Sequence, residues 1–383
     1  MSKKKIAIIG ASDFQNPLIV KAKDMGLETH VFAWEDGSIG ERTADYFHPI
    51  SITEIDEIAD VCREIGVSGI CSIGTDLGNI TVSKVAEKLG LCANSVACVN
   101  RSTNKHLMRE TFFANGDPSP WSIQVHDVSE LDGRDLVYPI IVKPVDRSGS
   151  RAITRLESSD GLSDAVSSAI EVSFAKAAVV EEFFEGTEYS VEYVSWKGEH
   201  HFLALTRKFT TGAPKFIETG HIEPAVVSGE LLDRVKAVIS HALDGLGVEY
   251  GASHSEILIN ESGDIRIVEI GSRMGGDCIG SDLVELSTGI DFLRAVVDVS
   301  LGNQPDLEPC PHPGNAMIRF VFGDDDLVAL ERAKNEFKGA VEKVVLTNSA
   351  PHEIVDSGSR YGFFILSSVN RDELAPYLPE REA

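Results

Sequence analysis

The stretch between residues 251 and 276 constrains the fold of this chain most strongly. It has the sequence GASHSEILINESGDIRIVEIGSRMGG, in which apolar runs at 257–259 and 265–268 flank a polar turn at Ser262–Gly263. A glycine in such a turn supplies the positive φ that tight hairpins require. The pattern therefore predicts a β-hairpin.

Two acidic residues face each other across this predicted hairpin. Counting outward from a two-residue turn puts Asn260 opposite Ile265 and Glu256 opposite Glu269. Like charges directly opposite each other destabilise a strand pair unless a cation lies between them. Carboxylates suit Mg²⁺ or Mn²⁺, and Mg²⁺ commonly completes its shell with water and phosphate oxygens. The pair is thus a candidate metal site, and a solvated acidic hairpin edge is the alternative.

The composition restricts the class of protein. The chain has 383 residues, too many for one ordinary core, which predicts two or three domains. It is 43% hydrophobic and 25% charged, and it contains neither a long apolar run typical of a membrane span nor a signal peptide, so a cytoplasmic location is expected. A formal charge of −25 argues against nucleic-acid binding.

The six cysteines predict neither a disulfide framework nor a zinc site, because they are scattered without a C-x-x-C pair. They are expected to be small buried apolar residues. They are Cys62, Cys71, Cys92, Cys98, Cys278 and Cys310.

The first hundred residues alternate strand-like apolar runs with helical patterns, which is typical of parallel βαβ units. The predicted strands lie at residues 5–10, 28–32, 67–72 and 90–92, and the predicted helices at 17–25, 54–65 and 77–89. After Gly10 the sequence continues ASDF and does not complete G-x-G-x-x-G, which argues against a dinucleotide cofactor. The segment Gly74–Thr75–Asp76 follows a strand end, where such sheets bind ligands.

Several motifs in a fixed order resemble the ATP-grasp superfamily over roughly residues 1–300. They are Lys105, the strand end Val142–Lys143–Pro144 with the Ser/Gly loop after it, the segment VEEFFEGTE at 180–188, Glu256, and EIGSR at 269–273. The resemblance implies an α/β and α+β architecture. It comprises an N-terminal parallel α/β domain (1–100), a small central domain (101–188), an ATP-grasp catalytic domain (189–305) and an extra α+β lobe (306–383).

The same resemblance implies a role for each matching residue. ATP would be bound by Lys105, Lys143, Ser148, Gly149, Ser150, Glu181, Glu182, Phe184 and Glu188. Glu256 and Glu269 would hold Mg²⁺ or Mn²⁺, and Arg273 would stabilise the acyl phosphate and the tetrahedral species. A surface position is the alternative for Lys105.

One position departs from the family pattern. Many members have E-I-N-P-R, in which the Asn also binds metal, whereas this chain has Gly271 and Ser272 at the Asn and Pro positions. The second metal ion would then be held less tightly, or its shell completed by water or by Ser272.

The segment KFIETGHIEP at 215–224 resembles one in ATP-grasp amino-acid ligases that form dipeptides. The candidate substrate contacts are Lys208, Glu218, His221, Arg273, Gly275 and Gly276. Glu218 would recognise an ammonium group, and His221 would orient the substrate or transfer a proton. A solvated His221 and a surface Lys208 are the alternatives.

The first hypothesis is therefore an ADP-forming carbon–nitrogen ligase that joins a carboxylate to an amine through an acyl phosphate, with amino-acid-like substrates. The alternatives are a carboxylating or formylating ligase of the purine-biosynthesis type and an ATP-binding regulatory module without turnover. The expected partners are ATP and small carboxylates and amines, with no nucleic acid and no membrane. The resemblance allows a homodimer.

Overall fold

The structure is a computed structural model, and it describes residues 3–147, 149, 151–213, 215–312, 314–337, 339–347 and 350–379. The α-helices in these ranges are α1 (Asn16–Asp24), α2 (Ile39–Thr43), α3 (Ile55–Ile65), α4 (Asp76–Leu89), α5 (Val96–Thr103), α6 (Lys105–Asn115), α7 (Leu162–Val172), α8 (Gly229–Leu246), α9 (Val284–Thr288), α10 (Phe292–Ser300) and α11 (Asp324–Glu336). Short 3₁₀ turns occur at Val128–Leu131, Ser357–Ser359, Arg371–Glu373 and Ala375–Tyr377, and a π-helical turn at Ile279–Leu283.

The strands are β1 (Lys5–Ile9), β2 (Glu28–Phe32), β3 (Tyr46–His48), β4 (Gly69–Cys71), β5 (Ser122–Val125), β6 (Ile140–Pro144), β7 (Thr154–Leu156), β8 (Ala178–Glu182), β9 (Thr187–Trp196), β10 (Glu199–Thr210), β11 (Glu218–Glu223), β12 (Tyr250–Ile259), β13 (Ile265–Gly271), β14 (Asn315–Phe320), β15 (Val341–Leu346) and β16 (Gly362–Ser368). They form three sheets, so the predicted mixed α/β architecture is confirmed.

The N-terminal sheet is parallel, with the strand order β3-β2-β1-β4. Strands β1 and β4 are almost entirely buried, as expected for parallel strands covered on both faces. The predicted strand at 90–92 is wrong, because these residues form a turn after Gly90 ends α4 in the left-handed conformation. The fourth strand is β3, which is too short and too exposed to produce a recognisable apolar pattern.

Two antiparallel sheets make up the rest of the molecule. The smaller one has the order β5-β8-β6-β7, and the larger one has eight strands in the order β13-β12-β9-β10-β11-β14-β16-β15. The C-terminal strands extend the larger sheet through the pairing of β11 with β14. Residues from the end of the chain are thereby brought next to those of the central strands.

The predicted hairpin is present as β12 and β13, but its turn is longer than expected. The Asn260 N–H donates to the Asp264 carbonyl at 3.1 Å, so Ile259, not Asn260, faces Ile265. A β-bulge between Glu256 and Ile257 then shifts the register by one residue. Because the bulge compensates for the longer turn, Glu256 still faces Glu269 as predicted. Gly263 has the positive φ expected of the turn, +79°.

The cysteine prediction holds for only part of the set. Cys62, Cys71, Cys98 and Cys278 are buried, whereas Cys92 is partly exposed and Cys310 is exposed. Cys310 lies in the irregular segment before β14, outside the apolar cores. Among the described residues, no helix has the length and apolar character needed to span a membrane.

Candidate active site

A deep cleft lies between the small sheet and the concave face of the large sheet. Its inner part encloses about 1130 Å³ and its outer part about 1640 Å³. The two parts share the lining residues Lys143, Ile153, Glu218, Glu256 and Val268. The cleft is therefore one continuous space, long enough for two ligands placed end to end.

The two predicted nucleotide lysines enter this cleft from different elements. Lys105 is the first residue of α6, whose N-terminus is capped by the side chain of Asn104, and Lys143 lies near the end of β6. Both are buried, at 4% and 6% exposure, so a surface position for Lys105 is excluded. The Lys105 Nζ lies 3.0 Å from Glu269 Oε2 and donates to the Arg147 carbonyl at 2.9 Å.

Glu181 lies beneath the cleft floor and is paired with two cations. Its carboxylate contacts Lys143 Nζ at 2.7 Å and Arg109 Nε at 2.9 Å. Burial favours the neutral acid, but the two cations outweigh it and lower the pKa of Glu181 to about 2. Because its carboxylate is committed to this pair, Glu181 also fixes the position of Lys143.

The outer part of the cleft is lined by the other residues predicted to contact adenosine. Glu182, Phe184 and Glu188 all line it, and the guanidinium of Arg266 lies 4.9 Å from the centre of the Phe184 ring. Gly149 lines the inner part with a φ of +77°. The neighbouring predicted phosphate contacts, Ser148 and Ser150, lie outside the described residues.

Lys208 on β10 is surrounded by three carboxylates. Its Nζ lies 2.6 Å from Glu188 and from Glu256, and 3.8 Å from Glu218. Burial alone would lower the pKa of Lys208, but these acids raise it well above its ordinary value. Lys208 is 6% exposed, so the alternative of a surface cation is wrong.

The acidic pair of the hairpin has the donor set that Mg²⁺ prefers. Glu256 and Glu269 are partly buried, with side chains 26% and 18% exposed. In the described residues, Lys208 and His254 contact only Oε1 of Glu256, and Lys105 contacts only Oε2 of Glu269. One oxygen of each carboxylate therefore remains for a cation that also takes phosphate oxygens, so the residues fit Mg²⁺ or Mn²⁺.

His254 supports Glu256 from below the site. Its Nδ1 lies 2.5 Å from the fully buried Glu192, and its Nε2 lies 3.5 Å from Glu256. Burial would lower the pKa of His254, but the two carboxylates raise it to about 9. A Cβ on Gly275 would lie 2.6 Å from His254 Nδ1, so the predicted substrate turn needs glycine here for packing. Gly276 lines the inner cleft.

Arg273 follows β13 and is held by the N-terminal part of the chain. Its Nε donates to Asp76 Oδ1 at 2.7 Å, at the first turn of α4. A Cβ on Gly271 would lie 3.2 Å from Arg273 Cζ, so the departure from the family pattern gives the guanidinium room. The Ser272 hydroxyl lies 2.6 Å from the Ser102 hydroxyl, away from the acidic pair, which argues against its completing a metal shell.

The predicted substrate residues Glu218 and His221 lie at the inner end of the cleft. The Ser357 hydroxyl donates to Glu218 Oε2 at 2.5 Å. His221 lies on β11 and is fully buried, so a solvated histidine is excluded. Burial lowers the pKa of His221. Its Nε2 lies 3.6 Å from Asp277, which is bound in turn by Arg360.

Five residues of this region were missed by the sequence prediction. They are Arg109, Glu192, His254, Asp277 and Arg360. Asp277 directly follows the Gly275–Gly276 turn, and His254 lies two residues before Glu256 on the same strand face, so adjacency was a usable signal for both. The other three contact the site from distant elements and left no local signal.

Comparison with known proteins places this cleft in a family. A model of the ATP-grasp domain matches residues 136–281. The alanine–anticapsin ligase of Bacillus subtilis strain 168 is 24% identical over 376 residues, covering 84% of this chain and 79% of that protein. Carnosine synthase 1 of Homo sapiens is 25% identical over 351 residues, covering 83% of this chain but only 42% of that protein.

The fold agrees over nearly the whole chain with a solved structure. The L-amino acid ligase from Bacillus licheniformis superposes with a TM-score of 0.86 at 22% identity, covering 98% of this chain and 96% of that one. The chain belongs to the ATP-grasp ligases, with the family's domain at residues 136–281.

Proposed function

We propose that this protein joins the carboxylate of one amino acid to the amine of another, with cleavage of ATP to ADP and phosphate. The observation that carries the proposal is the continuity of the cleft. It joins the lysines and the acidic pair of a nucleotide site to a chamber lined by Glu218, His221 and Asp277. The chamber has the charged groups that amino-acid recognition requires, and the names of the relatives describe ligases of amino acids.

In the first step, a substrate carboxylate oxygen attacks the γ-phosphorus of ATP and the bond to the β-phosphate oxygen breaks, which yields an acyl phosphate and ADP. Lys105 and Lys143 are placed to hold phosphate oxygens, since both line the inner cleft. A divalent cation held by Glu256 and Glu269 would neutralise charge that develops on the transferred phosphoryl group. The remaining work is positioning, which the buried ion pairs of the cleft floor supply.

In the second step, the nitrogen of the amine attacks the acyl carbon, a tetrahedral species forms, and phosphate leaves as the amide forms and the nitrogen loses its proton. Arg273 is suited to stabilise the negative charge of that species, because it lines the same inner cleft as the acidic pair. His221 is suited to accept the proton, because burial keeps its imidazole neutral.

The proposal is tested by measuring phosphate release from Mg-ATP with pooled amino acids, followed by mass spectrometry of the products. ADP together with a new amide of two amino acids is the expected result. Phosphate release only with bicarbonate or formate would instead support the purine-biosynthesis type of ligase. Tight ATP binding without turnover in any pool would support a regulatory module.

A further inference from the structure

The inner chamber contains an ion pair that the proposed chemistry does not use. Arg360 binds the carboxylate of Asp277 through two hydrogen bonds, Nη2 to Oδ1 at 2.6 Å and Nη1 to Oδ2 at 3.1 Å. The two residues are 83 positions apart in the sequence and come from the catalytic region and from the C-terminal segment before β16. Neither contacts the acidic metal pair or the lysines of the nucleotide site.

The two partners of this pair are exposed to the cleft to different extents. The Asp277 side chain is 21% exposed and lines the inner cleft, whereas the Arg360 side chain is 5% exposed. Arg360 is packed against the ring of Phe320, with its Cζ 3.6 Å from the ring centre. A ligand in the chamber therefore meets the carboxylate, which can accept further hydrogen bonds beyond those of one guanidinium.

The backbone holds Asp277 in a conformation that costs free energy. Asp277 and Cys278 have φ values of +52° and +61°, in the left-handed region that residues other than glycine seldom adopt. Such strain persists only where the surrounding structure enforces it, and it is concentrated at ligand sites. Here it turns the carboxylate toward Arg360 and the chamber.

The wall beside Asp277 contains a second, independent sign of a polar ligand. His221 is fully buried, and both of its ring nitrogens are without a hydrogen-bond partner among the described residues. Buried polar groups in native proteins are nearly always paired. His221 also lines the chamber, so a ligand that fills it can supply the missing partner.

A second carboxylate lies close by. Glu218 is 15% exposed and lines the chamber, and its backbone carbonyl accepts from Arg360 Nη1 at 3.3 Å. If Glu218 binds the α-ammonium group of an amino acid, as proposed above, the carboxylate of Asp277 remains available. An anionic or purely apolar side chain would gain nothing from it, whereas a cationic one would form a charged hydrogen bond.

We propose that Asp277, oriented by Arg360, binds a cationic side chain of the substrate, so that basic amino acids such as lysine, ornithine and arginine are the preferred substrates. This inference rests on the proposed function, since it assigns the substrate class of the same cleft. Arg360 acts as a positioning residue and Asp277 as a specificity determinant.

The test compares lysine with norleucine, which has the same length of side chain without the ammonium group. Binding of each to the protein with Mg²⁺ and a non-hydrolysable ATP analogue is measured by calorimetry, and kcat/KM is measured by phosphate release. We expect lysine to be favoured about tenfold or more, as for one charged hydrogen bond. Asp277→Asn should bring the lysine-to-norleucine ratio close to one, and Asp277→Glu should retain part of it.

The matched control is Glu353→Gln, which removes one carboxylate from the same C-terminal segment. Glu353 is 77% exposed and pairs with Lys215 on the surface, so the lysine-to-norleucine ratio should not change. Because the ratio is an internal comparison within each variant, partial misfolding of Asp277→Asn lowers both rates and leaves the conclusion intact.

Equal use of lysine and norleucine by the unaltered protein would overturn the inference while leaving the ligase function standing. A preference for lysine that persists in Asp277→Asn would overturn the role of Asp277. Absence of phosphate release with every amino acid, together with equal binding of lysine and norleucine, would overturn the inference and the proposed function together.

Discussion

Arg273 has its guanidinium held from one side. Asp76 accepts from Nε at 2.7 Å, and the Met274 carbonyl accepts from Nη1 at a longer 3.3 Å. The nearby acids Asp76, Glu269 and Glu256 offset the effect of burial and raise the pKa of Arg273, so the cation persists at any accessible pH. A fixed positive charge beside the acidic pair suits the charge of a transition state better than nucleotide retention alone.

We predict that Arg273→Ala lowers kcat by about 100-fold or more, as removal of a transition-state donor does, while the affinity for Mg-ATP changes by less than about threefold. Phosphate release and nucleotide titration measure the two quantities. Arg294→Ala, which removes an arginine with a 51% exposed side chain, is the control and should behave like the unaltered protein. Loss of ATP binding as severe as the loss of turnover would contradict the assigned role.

Glu223 on β11 is a fully buried carboxyl group without a cationic partner. Among the described residues, its oxygens accept from the hydroxyls of Thr206 and Ser287, both at 2.5 Å. Burial raises the pKa of Glu223 to about 7, and the hydroxyl donors offset only part of this effect. The folded state therefore binds this proton more tightly than the unfolded state, in which the pKa is near 4.5.

We predict that Glu223→Gln reduces the loss of stability as the pH rises from about 4.5 to 7. Because the folded state holds more protons in that range, the free energy of unfolding falls with rising pH, by up to about 3 kcal/mol for this group. The melting temperature of the variant relative to the unaltered protein should therefore be higher at pH 8 than at pH 5. A constant difference across this range would mean that Glu223 does not titrate there.

At the scale of elements, the pairing of β11 with β14 decides whether the C-terminal strands reach the cleft. Gly220 lies in β11 opposite Arg319 of β14, and a Cβ on it would lie 2.6 Å from the backbone oxygen of Ile318. The strand pair approaches too closely at this point for any side chain. Glycine is needed here for packing, since its φ lies outside the left-handed region.

We predict that Gly220→Ala destabilises the protein by about 1–3 kcal/mol, because the clash is with backbone and the strands must separate. Gly229→Ala is the matched control. Gly229 is the first residue of α8 and has nothing within 4 Å of the added Cβ, so alanine should be neutral or stabilise by up to about 1 kcal/mol. Equal melting temperatures of the two variants would contradict the packing argument.

At the scale of the whole molecule, the N-terminal sheet is linked directly to the chemistry. Strand β4 leads through Gly74, whose N–H donates to the Met274 carbonyl at 3.2 Å, into α4 and Asp76. Burial would raise the pKa of Asp76, but Arg273 holds it below its ordinary value. The first hundred residues therefore provide a charged contact to Arg273 as well as a neighbouring fold.

We predict that Asp76→Asn lowers kcat at least about tenfold with little change in the KM for ATP, because the guanidinium loses its orienting charge. Asp76→Glu should recover part of the activity. Asp56→Asn, which alters an exposed aspartate paired with Lys88 in the same N-terminal region, is the control. A parallel rise in the KM for ATP would show that Asp76 supports the nucleotide site instead.

The sequence alone was sufficient to predict the class of fold and the order of the functional motifs. Alternating apolar and helical patterns predicted β1, β2, β4 and the helices between them, because those patterns depend on neighbours a few positions apart. The acidic pair of the hairpin was predicted from its turn, although the register is correct only because a β-bulge offsets a turn longer than expected. The lysines and acids of the cleft were recognised as motifs, each within one strand or helix.

The tertiary structure alone decided which partner each of these residues has. Arg273 and Asp76 are 197 residues apart, His254 and Glu192 are 62 apart, and Arg360 and Asp277 are 83 apart. No local period relates such positions, because their contact depends on sheet order, crossovers and the packing of distant strands. The charge state of Lys208, the burial of His221 and the orientation of Arg273 follow from those contacts, so they were decided by the assembled fold.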